Sequence, residues 1–156
     1  MRRRRKPLPA ILIGLLIMVA GVFLTKCAIT SFSSDDPEEV VREFYNYEKE
    51  GDFGSSWELF HSEMQKRFSK GDYIETKNHV FIGHMGVETF EVEIGEIENI
   101  GEWEYKRGDE VDTFTDVKAA EVDMIYESDY GLMTISQVCY VAQEKGEWKV
   151  LWDYNF

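Results

Sequence analysis

Cysteine is scarce in this chain: Cys27 and Cys139 are the only two, and they form no CxxC pair. No Cys/His spacing suggests a zinc site. A disulfide between the two is possible, but nothing in the pattern calls for one. Cys139 falls in a strand-like segment and reads as a small buried apolar side chain. Acidic residues are missing from positions 1–34, which carry six basic ones (Arg2, Arg3, Arg4, Arg5, Lys6 and Lys26). Basic residues are correspondingly few in the rest, where eleven face all thirty Asp and Glu, a net charge of −19. Such a surface repels phosphate polymers, so no nucleic-acid role is expected. Solubility is the plainest use of that charge. Internal repeats and low-complexity tracts are absent too.

What remains is a globular composition. The 156 residues suffice for one domain and a short appendage. With 44% apolar and 30% charged residues the chain fits a folded class, and its 14% aromatic share supplies much of the area that a small core needs.

The appendage is N-terminal. Arg2 to Lys6 form a positive block, and Leu8 to Thr25 then run without charge until Lys26. Pro9 is tolerated in a first helical turn. Those 18 residues span about 27 Å as a helix, close to a bilayer's hydrocarbon core. The positive block stays cytoplasmic, so the C-terminal domain goes across. An uncleaved signal anchor is the leading reading, because the run exceeds a usual signal-peptide core. A cleaved signal peptide ending near Ser31 or Ser33 is the second. A lipoprotein anchored through Cys27 is the third, with Lys26 spoiling its motif. The expected map is a basic tail over 1–6, a transmembrane helix contacting lipid over 7–26, a linker over 27–35 and an exported domain over 36–156.

Asp36-Pro37-Glu38-Glu39 opens a helix: Asp36 caps, Pro37 suits the first position and Glu39 can close a capping box. Val40, Val41, Phe44 and Tyr47 make its expected apolar face. Gly51 ends it, with Lys49 complementing the dipole. A second helix is predicted from about Ser56 to Phe68, burying Trp57, Phe60, Met64 and Phe68. A third begins near Ser69, where Ser69 and Asp72 resemble a capping pair, and breaks at Gly83 and Gly86. From Val87 the period becomes two, with Phe90, Val92 and Ile94 on one side and Thr89, Glu91 and Glu93 on the other. Gly95 marks a bulge or bend, and the strand pattern continues over 97–105. Strands over 114–126, 132–143 and 147–154 come next, with turns at Gly108, at Ser128 to Gly131 and at Lys145-Gly146. Helices first and strands after predict an α+β domain, its three helices packed on an antiparallel sheet.

This layout resembles the nuclear transport factor 2-like superfold. Trp57 to Met64, with Ser69 to Ile74 leading the next helix, looks like the helical part of exported members. The ending Lys145-Gly146-Glu147-Trp148-Lys149-Val150-Leu151-Trp152-Asp153 is similar to the closing strand in the N-terminal domain of methicillin-resistance-type penicillin-binding transpeptidases. The resemblance spans about residues 36–156 and is specific only in its last ten or so. It implies a cone-shaped domain whose three helices lie on a strongly curved sheet. The transpeptidase activity does not carry over, since the chain contains no Ser-x-x-Lys and no Lys-Thr-Gly.

The superfold also hosts isomerases and dehydratases that work inside the cone with an Asp or His base and a Tyr donor. By that likeness the candidate cavity residues are His61, Asp123, Tyr126 and Tyr140. Against it, Asp123 fits a solvent-facing strand position and Tyr140 a core aromatic. His79 and His84 lie five apart, whereas helical metal pairs sit four apart, so a structural or exposed role is expected. Asp109, Glu110, Asp112 and Asp116 crowd a turn without the glycine and spacing of a calcium loop, and read as a solvated acidic turn. No metal and no cofactor is therefore expected. The leading function is a non-catalytic, membrane-anchored envelope protein whose exported domain binds a protein partner or ligand. The alternatives are a structural subunit of a conjugation or secretion machine, and a small isomerase or hydratase.

Overall fold

Capping side chains decide where the helices of this domain begin. The structure is a computed structural model, and it describes residues 36–152 apart from 88 and 108. The expected tail, span and linker over 1–35 and the end of the last expected strand lie outside those residues. Among the described residues no helix is long and apolar enough to cross a membrane.

Helix α1 is Pro37–Glu50. The Asp36 carboxylate accepts from the Glu38 N–H at 3.0 Å, and Pro37 takes the first position. Gly51 closes it in the left-handed region (φ 73°), which a side chain would resist. Its buried face is Val40, Val41, Phe44, Tyr45 and Glu48. The expected Tyr47 is not on that face; it is half-buried, and its hydroxyl donates to Glu43.

The second expected helix is two. Helix α2 is Phe53–Glu58, capped by Asp52, and α3 is Ser62–Gln65, capped by His61. Between them Phe60 forms an isolated bridge to Val150 of the last strand: the Val150 N–H donates to the Leu59 carbonyl and the His61 N–H to the Val150 carbonyl, both at 2.9 Å. Tertiary pairing here overrides helical periodicity. It also covers an edge of the sheet that would otherwise invite another chain. Helix α4 is Lys70–Lys77, and Ser69 caps it by accepting from the Asp72 N–H at 3.1 Å. The chain then winds on as a π-helix over Asn78–His84, through Gly83 rather than breaking at it.

The strands are β1 Phe90–Ile94, β2 Glu98–Arg107, β3 Glu110–Ser128, β4 Gly131–Glu144 and β5 Glu147–Leu151. All pairs are antiparallel. Strands β1 and β2 lie end to end along one edge of β3, and β4 and β5 are placed on its other side. The interruption over 95–97 matches the bend expected at Gly95, whereas the bulge itself falls at Asn99 to Glu102. Lys145 and Gly146 both take positive φ (55° and 87°) in the tight turn between β4 and β5.

The domain is therefore α+β, with a few helices on a curved antiparallel sheet. Along β3, Val122, Met124 and Tyr126 are buried and join one core with Val41, Phe44, Phe60 and Met64 of the helical half. Phe60 is its hub. It is 1% exposed, meets Phe44, Phe68 and Tyr73 edge-on, and stacks on Trp152 at 5.9 Å.

Candidate functional site

The four sequence-nominated residues do not gather. Tyr126 is fully buried and lines the cavity between helices and sheet, where its hydroxyl donates to the Met124 sulfur at 3.2 Å. Burial pushes its hydroxyl pKa well up. Asp123 alternates with the buried Val122 and Met124, and so faces the other side of the sheet. Tyr140 pairs with Ala119 and stacks on Trp103 at 5.0 Å. His61 caps α3 through Nδ1, which accepts from the Glu63 N–H at 3.2 Å, and sits edge-on to Phe114. The strand period allowed either orientation for Asp123, and only the register decides it.

Partial burial holds the His61 imidazole below its ordinary range; Glu144 and Glu63 oppose that shift without cancelling it. The unfolded chain then takes up the proton first. His61 therefore contributes fully above about pH 6.5, and its contribution is lost as the pH falls from there toward the folded-state value. His61→Asn keeps a capping oxygen. In thermal melts it should flatten the rise of Tm just below about pH 6.5; an unchanged slope would refute this.

The cavity has a volume of about 190 Å³ and is lined by Tyr45, Glu48, Lys77, Tyr126, Gln137 and Cys139 among others. Its polar groups are bonded to each other. The Gln137 amide donates to the Tyr45 hydroxyl at 2.6 Å, and burial pushes the Cys139 thiol up to about 12. Glu48, only 5% exposed, is the centre of a tight cluster. One carboxylate oxygen accepts from the Ser56 hydroxyl at 2.5 Å and the Tyr73 hydroxyl at 2.6 Å, and the other from the Lys77 ammonium at 2.6 Å. The ammonium lies 5.0 Å from the centres of both the Phe81 and Trp152 rings. It forms the wall shared by this cavity and an open apolar groove of about 230 Å³ lined by Phe68, Tyr73, Val80, Phe81 and Trp152.

A carboxylate with three donors on it is a strut joining α1, α2 and α4 rather than a free base. Sequence reasoning missed Glu48, although a signal was there: it lies four residues after Phe44 and eight after Val40, in line with the apolar stripe.

The opposite side of the sheet has another character. Glu91 and Glu93 of β1 and Glu121, Asp123 and Glu127 of β3 alternate with inward residues and point outward. Glu93 pairs with Asp123, so two carboxylates stand directly opposite. None of these five carboxylates forms an ion pair among the described residues. Beside this stripe β4 presents Leu132, Thr134, Ser136 and Val138, all exposed. A depression of about 450 Å³ between Ile100, Trp103, Val138 and Tyr140 ends the stripe, with Glu98 and Glu121 at its rim.

No family model matches this chain, and no curated protein matches it. Among the described residues no three His, Cys, Asp or Glu side chains form a group able to hold a metal ion.

Proposed function

We propose that this is a non-catalytic binding module of the cell envelope, a nuclear transport factor 2-like domain displayed outside the cytoplasm by the apolar run over 7–26. Its partner is a protein segment that is basic on one side and apolar on the other, lying across the outer face of the sheet. The carrying observation is the like-charge pair Glu93 and Asp123 on the outward face of the sheet, neither of which forms an ion pair among the described residues. Like charges directly opposite each other destabilise a sheet. A face that keeps them is suited to a ligand that supplies the missing charge. The adjacent Leu132, Val138 and Tyr140 supply apolar contact. The spacing also suits a helix: alternate β3 residues lie about 7 Å apart, close to the 6 Å rise between i and i+4 of an α-helix. Acid–base catalysis is disfavoured because His61, Asp123 and Tyr140 lie away from the inner cavity, and because Glu48 is fully engaged.

The test uses the full chain in zwitterionic lipid nanodiscs and a fluorescent 18-residue Lys/Leu amphipathic peptide, at about 0.15 M salt. Glu121→Lys with Asp123→Lys should weaken binding about tenfold or more. Glu50→Lys with Glu75→Lys, the same charge change on the helices, should cost under about threefold. Asp123→Asn alone should raise stability by roughly 0.5 kcal/mol while weakening the peptide. Equal losses from both reversals, or no binding, would reject the face. The address is separate: protease added to intact cells should digest the domain, and protection would refute the export.

A further inference from the structure

His79 and His84 are the pair whose spacing argued against a metal site. In an α-helix, residues five apart sit about 140° apart around the axis and cannot share a ligand. The segment Asn78–His84 is not an α-helix. A π-helix bonds i to i+5, so residues five apart stack on one face as residues four apart do in an α-helix. The two imidazoles accordingly meet, their ring centres 4.4 Å apart and their Nε2 atoms 3.0 Å apart. Both side chains are exposed. Gly83 lies beside them, where a Cβ would be in ordinary contact with His79 Nδ1 at 3.7 Å.

We propose that His79 and His84 form a surface site for a divalent transition ion of the kind that favours imidazole, namely Cu²⁺, Zn²⁺ or Ni²⁺. Metal–nitrogen bonds of about 2.0–2.1 Å place two ligand nitrogens about 3.4 Å apart at a tetrahedral angle and about 2.9 Å apart at a right angle. The observed 3.0 Å falls between the two, so the rings need only turn slightly to admit the ion. Without metal, one Nε2 carries the proton and the other accepts it. On binding, the donor ring changes tautomer and its proton moves to Nδ1, so that both Nε2 lone pairs face the ion. Water completes the coordination, since no third protein ligand stands by among the described residues. The ion therefore exchanges readily, unlike a closed structural zinc. Its effect is to clamp the two ends of the π-helical segment, and so to hold Val80 and Phe81 in the wall of the apolar groove.

The site stands on an observation independent of the acidic sheet face, so either can fail alone. The experiment titrates CuCl₂, ZnCl₂ and NiCl₂ into the full chain in nanodiscs by calorimetry. The expected result is one ion per chain, with Cu²⁺ the tightest. His79→Ala and His84→Ala should each weaken it about tenfold or more, while His61→Asn leaves it unchanged. Metal uptake insensitive to His79→Ala and His84→Ala would overturn the proposal.

Discussion

Glu48→Ala is expected to cost about 3–5 kcal/mol of folding free energy, the range seen when one partner of a buried ion pair is removed. A domain of this size holds roughly 5–15 kcal/mol in all. The loss has three parts. The Lys77 side chain, 14% exposed, keeps a charge with no counter-ion. The Tyr73 and Ser56 hydroxyls lose their acceptor in buried surroundings, where an unmade bond costs about 1–3 kcal/mol each. Relief by rearrangement lowers the total below the sum of these parts. Glu48→Gln separates the contributions, because an amide oxygen can still accept from both hydroxyls. It should lose less, and adding Lys77→Met should recover most of its loss, since a well-packed apolar pair often equals a buried ion pair. Urea unfolding monitored by tryptophan emission would check the series. A Glu48→Ala loss under about 1 kcal/mol would show that the cluster is not the strut described above.

Phe60→Ala should cost about as much, roughly 3–5 kcal/mol, for a different reason. Phe60 touches four aromatic rings from four parts of the chain, and truncation leaves a cavity that rigid rings cannot close. The backbone at Leu59 to His61 also pairs with Val150, so the same site pins the edge of β5. Trp152 loses its stacking partner, and its emission should shift to the red in the folded state before any unfolding. Phe60→Leu keeps most of the volume and should cost clearly less. If Ala and Leu destabilise equally, the ring stack is not what matters at this position.

Much of the fold was legible because it rests on near neighbours. Asp36, Pro37 and Gly51 bound α1 as expected, and Ser69 caps α4, since capping and left-handed turns depend on a few adjacent residues. Period-two alternation located β1, β3, β4 and β5, and Lys145-Gly146 located their last turn. The errors share a cause. Met64 and Phe68 kept helical spacing after Phe60, yet the helix breaks there because the backbone around Phe60 pairs with Val150, ninety residues away. Asn78 to His84 carry residues that an α-helix would accept, and only the tertiary setting winds them as a π-helix. Glu48 was missed because Ser56, Tyr73 and Lys77, 8 to 29 residues away, meet on it only in the folded chain.

The sequence by itself determined the element order, most of the element ends and the excess of acid in the folded part, because these depend on side-chain periodicity, local caps and composition. The tertiary structure alone decided which of those acids are buried and which stand exposed. It placed Glu48 among three donors and Asp123 opposite Glu93, and it drew two histidines five residues apart to within 3.0 Å. The physical reason is that strand register and helix winding are set by contacts between distant segments, and a change of one residue in either carries a side chain to a different face.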